Sequence, residues 1–181
     1  MRRGAYLMLA MAIAIGIQAR RTQTQGMNAK PIAPLAWLVG GVWTADASKL
    51  GGGMQRAEMR YEWSDNDEYI RFTMHFVSGE KTSYIYDGSF FWDPEKATLA
   101  MWNMNGKNEI MQGPVKIDEN SLRVIFRAKN AQEKEADFRM SIVRKSNDRY
   151  EWETEEKQPQ GWKELLSLDY LRKPESKKQG P

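Results

Sequence analysis

The sequence predicts an all-β protein, a single up-and-down antiparallel β-barrel of about ten strands with a short N-terminal helical plug. Three observations carry that prediction. Segment after segment beyond Val42 alternates apolar and polar residues, the period of a half-buried strand. Short clusters of turn-forming residues join these segments, and none beyond Val39 reads as a helix. The domain opens on Leu35-Ala36-Trp37-Leu38-Val39-Gly40-Gly41-Val42-Trp43, an apolar turn that runs through two glycines into a strand. Such a turn closes one end of a barrel, with the Trp43 indole as its floor. A meander of this length exposes two edges unless it closes on itself.

The elements follow in order. Residues 42–47 form the first strand, and residues 48–53, with three consecutive glycines, read as a loop too glycine-rich to hold one shape. Residues 54–63 alternate, with Ala57, Met59, Tyr61 and Trp63 on one face and Arg56, Glu58, Arg60 and Glu62 on the other. Ser64-Asp65-Asn66-Asp67 turns the chain into residues 69–77, where Ile70, Phe72, Met74 and Phe76 oppose Tyr69, Arg71, Thr73 and His75. Gly79-Glu80 leads to residues 82–87, Gly88 allows a bend, and Phe90-Phe91-Trp92-Asp93 follows as a separate segment. Residues 97–104 end at Asn105-Gly106, a two-residue hairpin signal. Residues 109–117 return, interrupted by Gly113-Pro114, which marks a bulge or an edge. Residues 122–128, 136–145, 149–156 and 162–172 complete the set.

The two ends differ from this body. Met1-Arg2-Arg3, the 13 apolar residues from Ala5 to Ile17, and Ala19 read as a signal peptide over residues 1–19. That run is short of the roughly 20 residues needed to span a bilayer, so no stable membrane insertion is expected after cleavage. Residues 20–34 read as a linker, 35–172 as the barrel and 173–181 as a disordered basic tail. The expected location is secreted or periplasmic.

The full chain carries 27 basic and 24 acidic residues, yet residues 35–171 alone hold 18 and 23, a net charge of −5. The basic character belongs to the ends, and an acidic body gives no electrostatic hold on a phosphate backbone, so nucleic acid is not an expected partner. The chain has no cysteine and one histidine, His75, which leaves neither a disulfide framework nor a multi-histidine zinc site.

No catalytic pattern emerges. His75 shares a strand face with Tyr69, Arg71 and Thr73 and is expected outside, with no second group to orient it. The Asp65, Asp67 and Glu68 cluster lacks the glycine of a calcium loop, since residue 70 is Ile. No serine has a nucleophile-elbow context. What stands out is the supply of aromatic and methionine side chains. Met59, Tyr61, Trp63, Phe72, Met74, Tyr84, Tyr86 and Trp102 are the candidate lining of an interior ligand site. The expected partner is therefore a small apolar or amphipathic molecule, entering at the end opposite Trp43 under the glycine-rich loop. The expected function is a non-enzymatic binding barrel. Two alternatives stand beside it, an enzyme on the same scaffold using His75 or an inward arginine, and a filled barrel acting through its surface.

Three short motifs resemble the calycin group, and within it the nitrobindin-like barrels. They are Leu38 with Gly41-Val42-Trp43, the segment Tyr84-Ile85-Tyr86-Asp87-Gly88, and the ending Leu168-Asp169-Tyr170-Leu171-Arg172. The resemblance spans residues 35–172. It implies that Trp43 is structural, packing over the closed end against Arg172. The chain departs from the family pattern at Gly40-Gly41, which adds one residue between Leu38 and Gly41-Val42-Trp43, so a bulged opening turn is expected. Nitrobindin-like barrels hold haem through a histidine in their C-terminal part, and no histidine follows His75 here, so haem is not carried over.

Overall fold

A computed structural model describes residues 30–174. The expectations of a signal peptide over 1–19, of most of the linker and of the tail beyond 174 lie outside the described residues. Ten antiparallel strands form a closed barrel, each strand pairing with its sequence neighbour and β1 closing on β10. They are β1 (Val42–Asp46), β2 (Arg56–Trp63), β3 (Tyr69–Ser78), β4 (Lys81–Asp93), β5 (Thr98–Asn105), β6 (Ile110–Asp118), β7 (Ser121–Lys129), β8 (Glu135–Ser146), β9 (Arg149–Gln158) and β10 (Gly161–Lys173).

One end is plugged. A 3-10 helix, Ala33–Leu38, starts on Pro34, whose missing N–H costs nothing in a first turn, and buries Leu35 and Leu38. Ile32, just before it, is also buried. Gly40 and Gly41 then take positive φ angles of 90° and 70°, so the chain reverses from the plug into β1. A Cβ on Gly41 would stand 2.7 Å from the Lys173 carbonyl oxygen, so the turn needs glycine for space as well as for torsion.

Three local expectations are corrected. Residues 81–93 form one strand rather than two separated at Gly88. Gly88 sits within the ladder, opposite Phe72 and Asn103. The glycine-rich loop holds a defined shape: Ser48–Leu50 is a 3-10 turn, and Ser78 Oγ donates to the Gly53 carbonyl at 2.6 Å. Its glycines supply positive φ at residues 51, 52 and 53. The Asn105-Gly106 hairpin is wider than two residues, because the Asn105 side chain accepts from the N–H groups of Lys107 and Glu109, and Asn108 takes the left-handed conformation.

Inside, alternate residues of every strand pack into one core. Four aromatic rings gather beneath the plug. Trp43 lies 4.6 Å from Tyr150 and 6.1 Å from Trp37, and Tyr150 stacks on Tyr170 at 4.9 Å. The Trp43 Nε1 donates to the Leu38 carbonyl at 2.7 Å, tying the first strand to the plug. The Arg172 guanidinium lies 4.3 Å from the Trp43 ring centre and donates to the carbonyls of Trp37, Val39, Gly40 and Asn147. Trp43 thus forms a floor at this end, and Arg172 clamps it to the plug.

The wall is not evenly sealed. β1 and β10 pair only over Val42–Thr44 and Leu171–Lys173. β6 and β7 pair only over Val115–Asp118 and Ser121–Val124. Both short ladders lie at the plugged end, whereas β2 to β6 and β7 to β10 are paired along their lengths. Beyond the short ladders β6 and β7 still touch, since a Cβ on Gly113 would stand 2.2 Å from the Ile125 carbonyl oxygen, whereas β1 and β10 part around a groove lined by Ala45, Asp46, Gln55, Ser167 and Leu168. Pro114, which has no N–H to give, stands where the β6–β7 ladder stops.

Candidate functional site

The parted end is the candidate site. Four inward positions there are only half-buried: Phe76 on β3, Tyr86 on β4, Phe126 on β7 and Leu166 on β10. Leu50 and Met54, from the loop after β1, pack against the same core. Phe126 and Phe138 stack at 5.8 Å on the β7–β8 leaf. An apolar rim that solvent reaches, above a buried apolar interior, is the form of a ligand entrance.

Deeper in, the interior carries phenols. The hydroxyls of Tyr61 and Tyr150 are 3.3 Å apart and share one hydrogen bond. Burial pushes the ionisation of Tyr61 and Tyr86 upward. Burial and neighbouring phenols push Tyr150 and Tyr170 well above the ordinary tyrosine value; for Tyr170 the neighbours are Tyr61 and Tyr86. A phenol that holds its proton more tightly folded than unfolded contributes stability that is complete below its unfolded value, 10.0, and lost as pH rises above it. Alkaline titration followed by phenolate absorbance and far-ultraviolet circular dichroism should therefore show these four ionising only as the barrel unfolds. Phenolate signal from all the tyrosines before any loss of strand signal would contradict the burial.

The eight residues expected to line the interior divide. Met59, Tyr61, Phe72 and Met74 face inward and are buried, Trp63 faces inward at the plugged end, and Tyr86 faces inward near the rim. Tyr84 and Trp102 do not line the interior. Trp102 shares its strand with buried Met101 and Asn103 but points the other way, 36% exposed. A register shift between Met74 and His75 puts Tyr86 opposite Met74 but Tyr84 opposite His75, so Tyr84 lies outside, 39% exposed. His75 and Tyr84 meet edge to face at 6.0 Å on that outer wall.

Arg60 and Arg71 line an outer groove of about 680 Å³ with Glu62, Tyr69, Thr73, Asp87, Phe91 and Trp102. Arg139 stacks on Trp162 at 4.7 Å and pairs with Glu155, holding that carboxyl below the usual range. None of these three cations enters the interior. Among the described residues no group of three or more His, Asp or Glu is arranged to hold a metal ion.

Two interior features escaped the sequence reading. Asn103, 5% exposed, projects inward between Gly88 and Met111. Its carboxamide oxygen and the Tyr170 hydroxyl are buried with no hydrogen-bond partner. The alternation Leu99, Met101, Asn103 in β5 was the available signal, obscured because Trp102 and Met104 make the opposite face apolar too.

Fold and site together define a closed ten-stranded antiparallel barrel with one plugged and one parted end. No family model and no curated protein matches the chain. Solved structures do: 14 chains match, among them the crystal structure of Rv2717c from M. tuberculosis. That likeness has a TM-score of 0.51 at 10% identity, over 80% of this chain and 98% of that one. It is a likeness of fold.

Proposed function

We propose that this barrel is a non-enzymatic carrier of a small apolar or amphipathic molecule, held inside in the manner of the calycin-like barrels its motifs resemble. The observation that carries the reading is the seam between β1 and β10, parted at the end opposite the plug, with half-buried Phe76, Tyr86, Phe126 and Leu166 turned inward at that end. Widening this seam would break no ladder bond. Met59, Met74, Met101 and Met140 inside supply side chains that repack around a guest. On this reading the signal-like N-terminus directs export, and outside the cytoplasm a free apolar molecule needs a carrier.

The second reading, a surface role, is favoured by the outer groove, where a large indole and two cations meet two carboxylates. One titration separates the two. N-phenyl-1-naphthylamine, a neutral apolar fluorophore, should bind saturably, and Leu166→Glu at the mouth should weaken it about tenfold or more, the cost of setting a charge among apolar groups. Trp102→Ala should leave it unchanged. Loss of binding with Trp102→Ala but not with Leu166→Glu would move the function to the groove, and no binding at all would remove the interior reading.

A further inference from the structure

We infer that the interior takes a neutral molecule bearing a hydroxyl group on an apolar body, with the hydroxyl inside the barrel, rather than a carboxylate or other anion. This rests on the interior-carrier reading and adds the chemical class of the guest. The first ground is the pair of orphaned polar atoms. The Asn103 carboxamide oxygen and the Tyr170 hydroxyl are inward, at most 5% exposed as residues, and unpartnered. Nearly all buried polar groups in folded proteins find a partner, ordered water included, and each one that does not calls for an explanation. A carboxamide oxygen accepts only, whereas a phenol both donates and accepts. A guest hydroxyl can donate to the first or exchange a hydrogen bond with the second, whereas an ether can only accept and a hydrocarbon does neither.

The second ground is the distribution of charge. Among the described residues, inward-side cations occur only at the two ends of the barrel. At the plug, Arg172 is held by backbone carbonyls and the Trp43 ring, and Arg144 lies over Trp37. At the open rim, exposed Lys163 stands in register with Glu156. Between them the inward positions carry only apolar residues, phenols, Thr154 and Asn103. A carboxylate drawn to that depth would lose its hydration and meet no cation, only four phenols that burial keeps protonated, and so would pay a large desolvation cost. A neutral hydroxyl pays little and gains a hydrogen bond at either of the unpartnered groups.

Competition against bound N-phenyl-1-naphthylamine tests this with three guests of equal chain length: dodecanol, methyl dodecyl ether and dodecanoate at about pH 8, where the acid is ionised. Dodecanol should displace the fluorophore at about a tenfold lower concentration than either of the others. Asn103→Leu and Tyr170→Phe should each shrink that preference for alcohol over ether while the fluorophore still binds. Dodecanoate competing as well as dodecanol, or ether and alcohol competing alike, would overturn the inference and leave the carrier reading standing. Failure of the fluorophore itself to bind would remove the carrier reading, and this inference with it. The wild-type comparison decides the matter even if a substituted chain does not fold.

Discussion

Trp43→Ala is expected to lower the stability of the barrel by about 3–5 kcal/mol, the usual cost of truncating a fully buried large aromatic side chain. Trp43 has no exposed surface, and its loss would remove ring contacts to Trp37 and Tyr150 together with the Nε1 bond to Leu38. Arg172→Ala should cost less, about 1.5–3 kcal/mol, the range for a hydrogen bond to a charged group. Two of the four carbonyls that Arg172 serves, those of Gly40 and Asn147, lie at the surface, where water replaces part of what is lost. Both substitutions should act through the plug, so their effects should fall short of additive in the double variant. Chemical denaturation of the three variants checks this. Small and equal losses from both single changes would contradict the floor-and-clamp arrangement.

Gly88→Ala is the second large effect, expected at about 3 kcal/mol of destabilisation by overpacking. A Cβ there would lie 2.3 Å from the Trp102 carbonyl oxygen and 2.7 Å from the Asn103 Cβ, neither of which moves without the strand. It would also lie 2.6 Å from the tip of the Phe72 ring. Gly88 is thus a spacing device, letting β4 and β5 approach while Phe72 lies over the gap. Gly106→Ala is the matched control, since its nearest contacts would be at 3.7 Å and 3.8 Å, ordinary van der Waals distances. Thermal melts of the two should differ by many degrees in midpoint, and equal melts would show that β4 and β5 have slack.

The sequence revealed most where one rule governed. Alternation and turn signals together placed nine of the strands closely, in most of them because one face is buried and the other solvated. The pattern also put Met59, Tyr61, Phe72 and Met74 on the inner face. It failed at Tyr84 because the register shift beside His75 inverts the face there, and a bulge leaves no fixed mark in local alternation. It failed at Trp102 because the middle of β5 is apolar on both sides and hides a polar residue, Asn103, inside. The break expected at Gly88 treated a glycine as a bend when its role is close approach of a neighbouring strand. The parted seam was invisible for a different reason. Pairing length between β1 and β10 is a long-range property, and only the short run of β1 hinted at it.

The most direct measurement uses the absence of cysteine, which lets a single introduced thiol report on one position. Leu166→Cys places it on the inner face of the mouth, and Leu171→Cys places it on the outer face of the same strand, where the leucine is 52% exposed. Each is reacted with a neutral maleimide, alone and with N-phenyl-1-naphthylamine at about ten times its dissociation constant, which leaves roughly a tenth of the sites open. The account predicts labelling slowed about tenfold at position 166 and unchanged at position 171. Labelling at 166 as fast with the fluorophore bound as without it would contradict an interior site reached through the parted end.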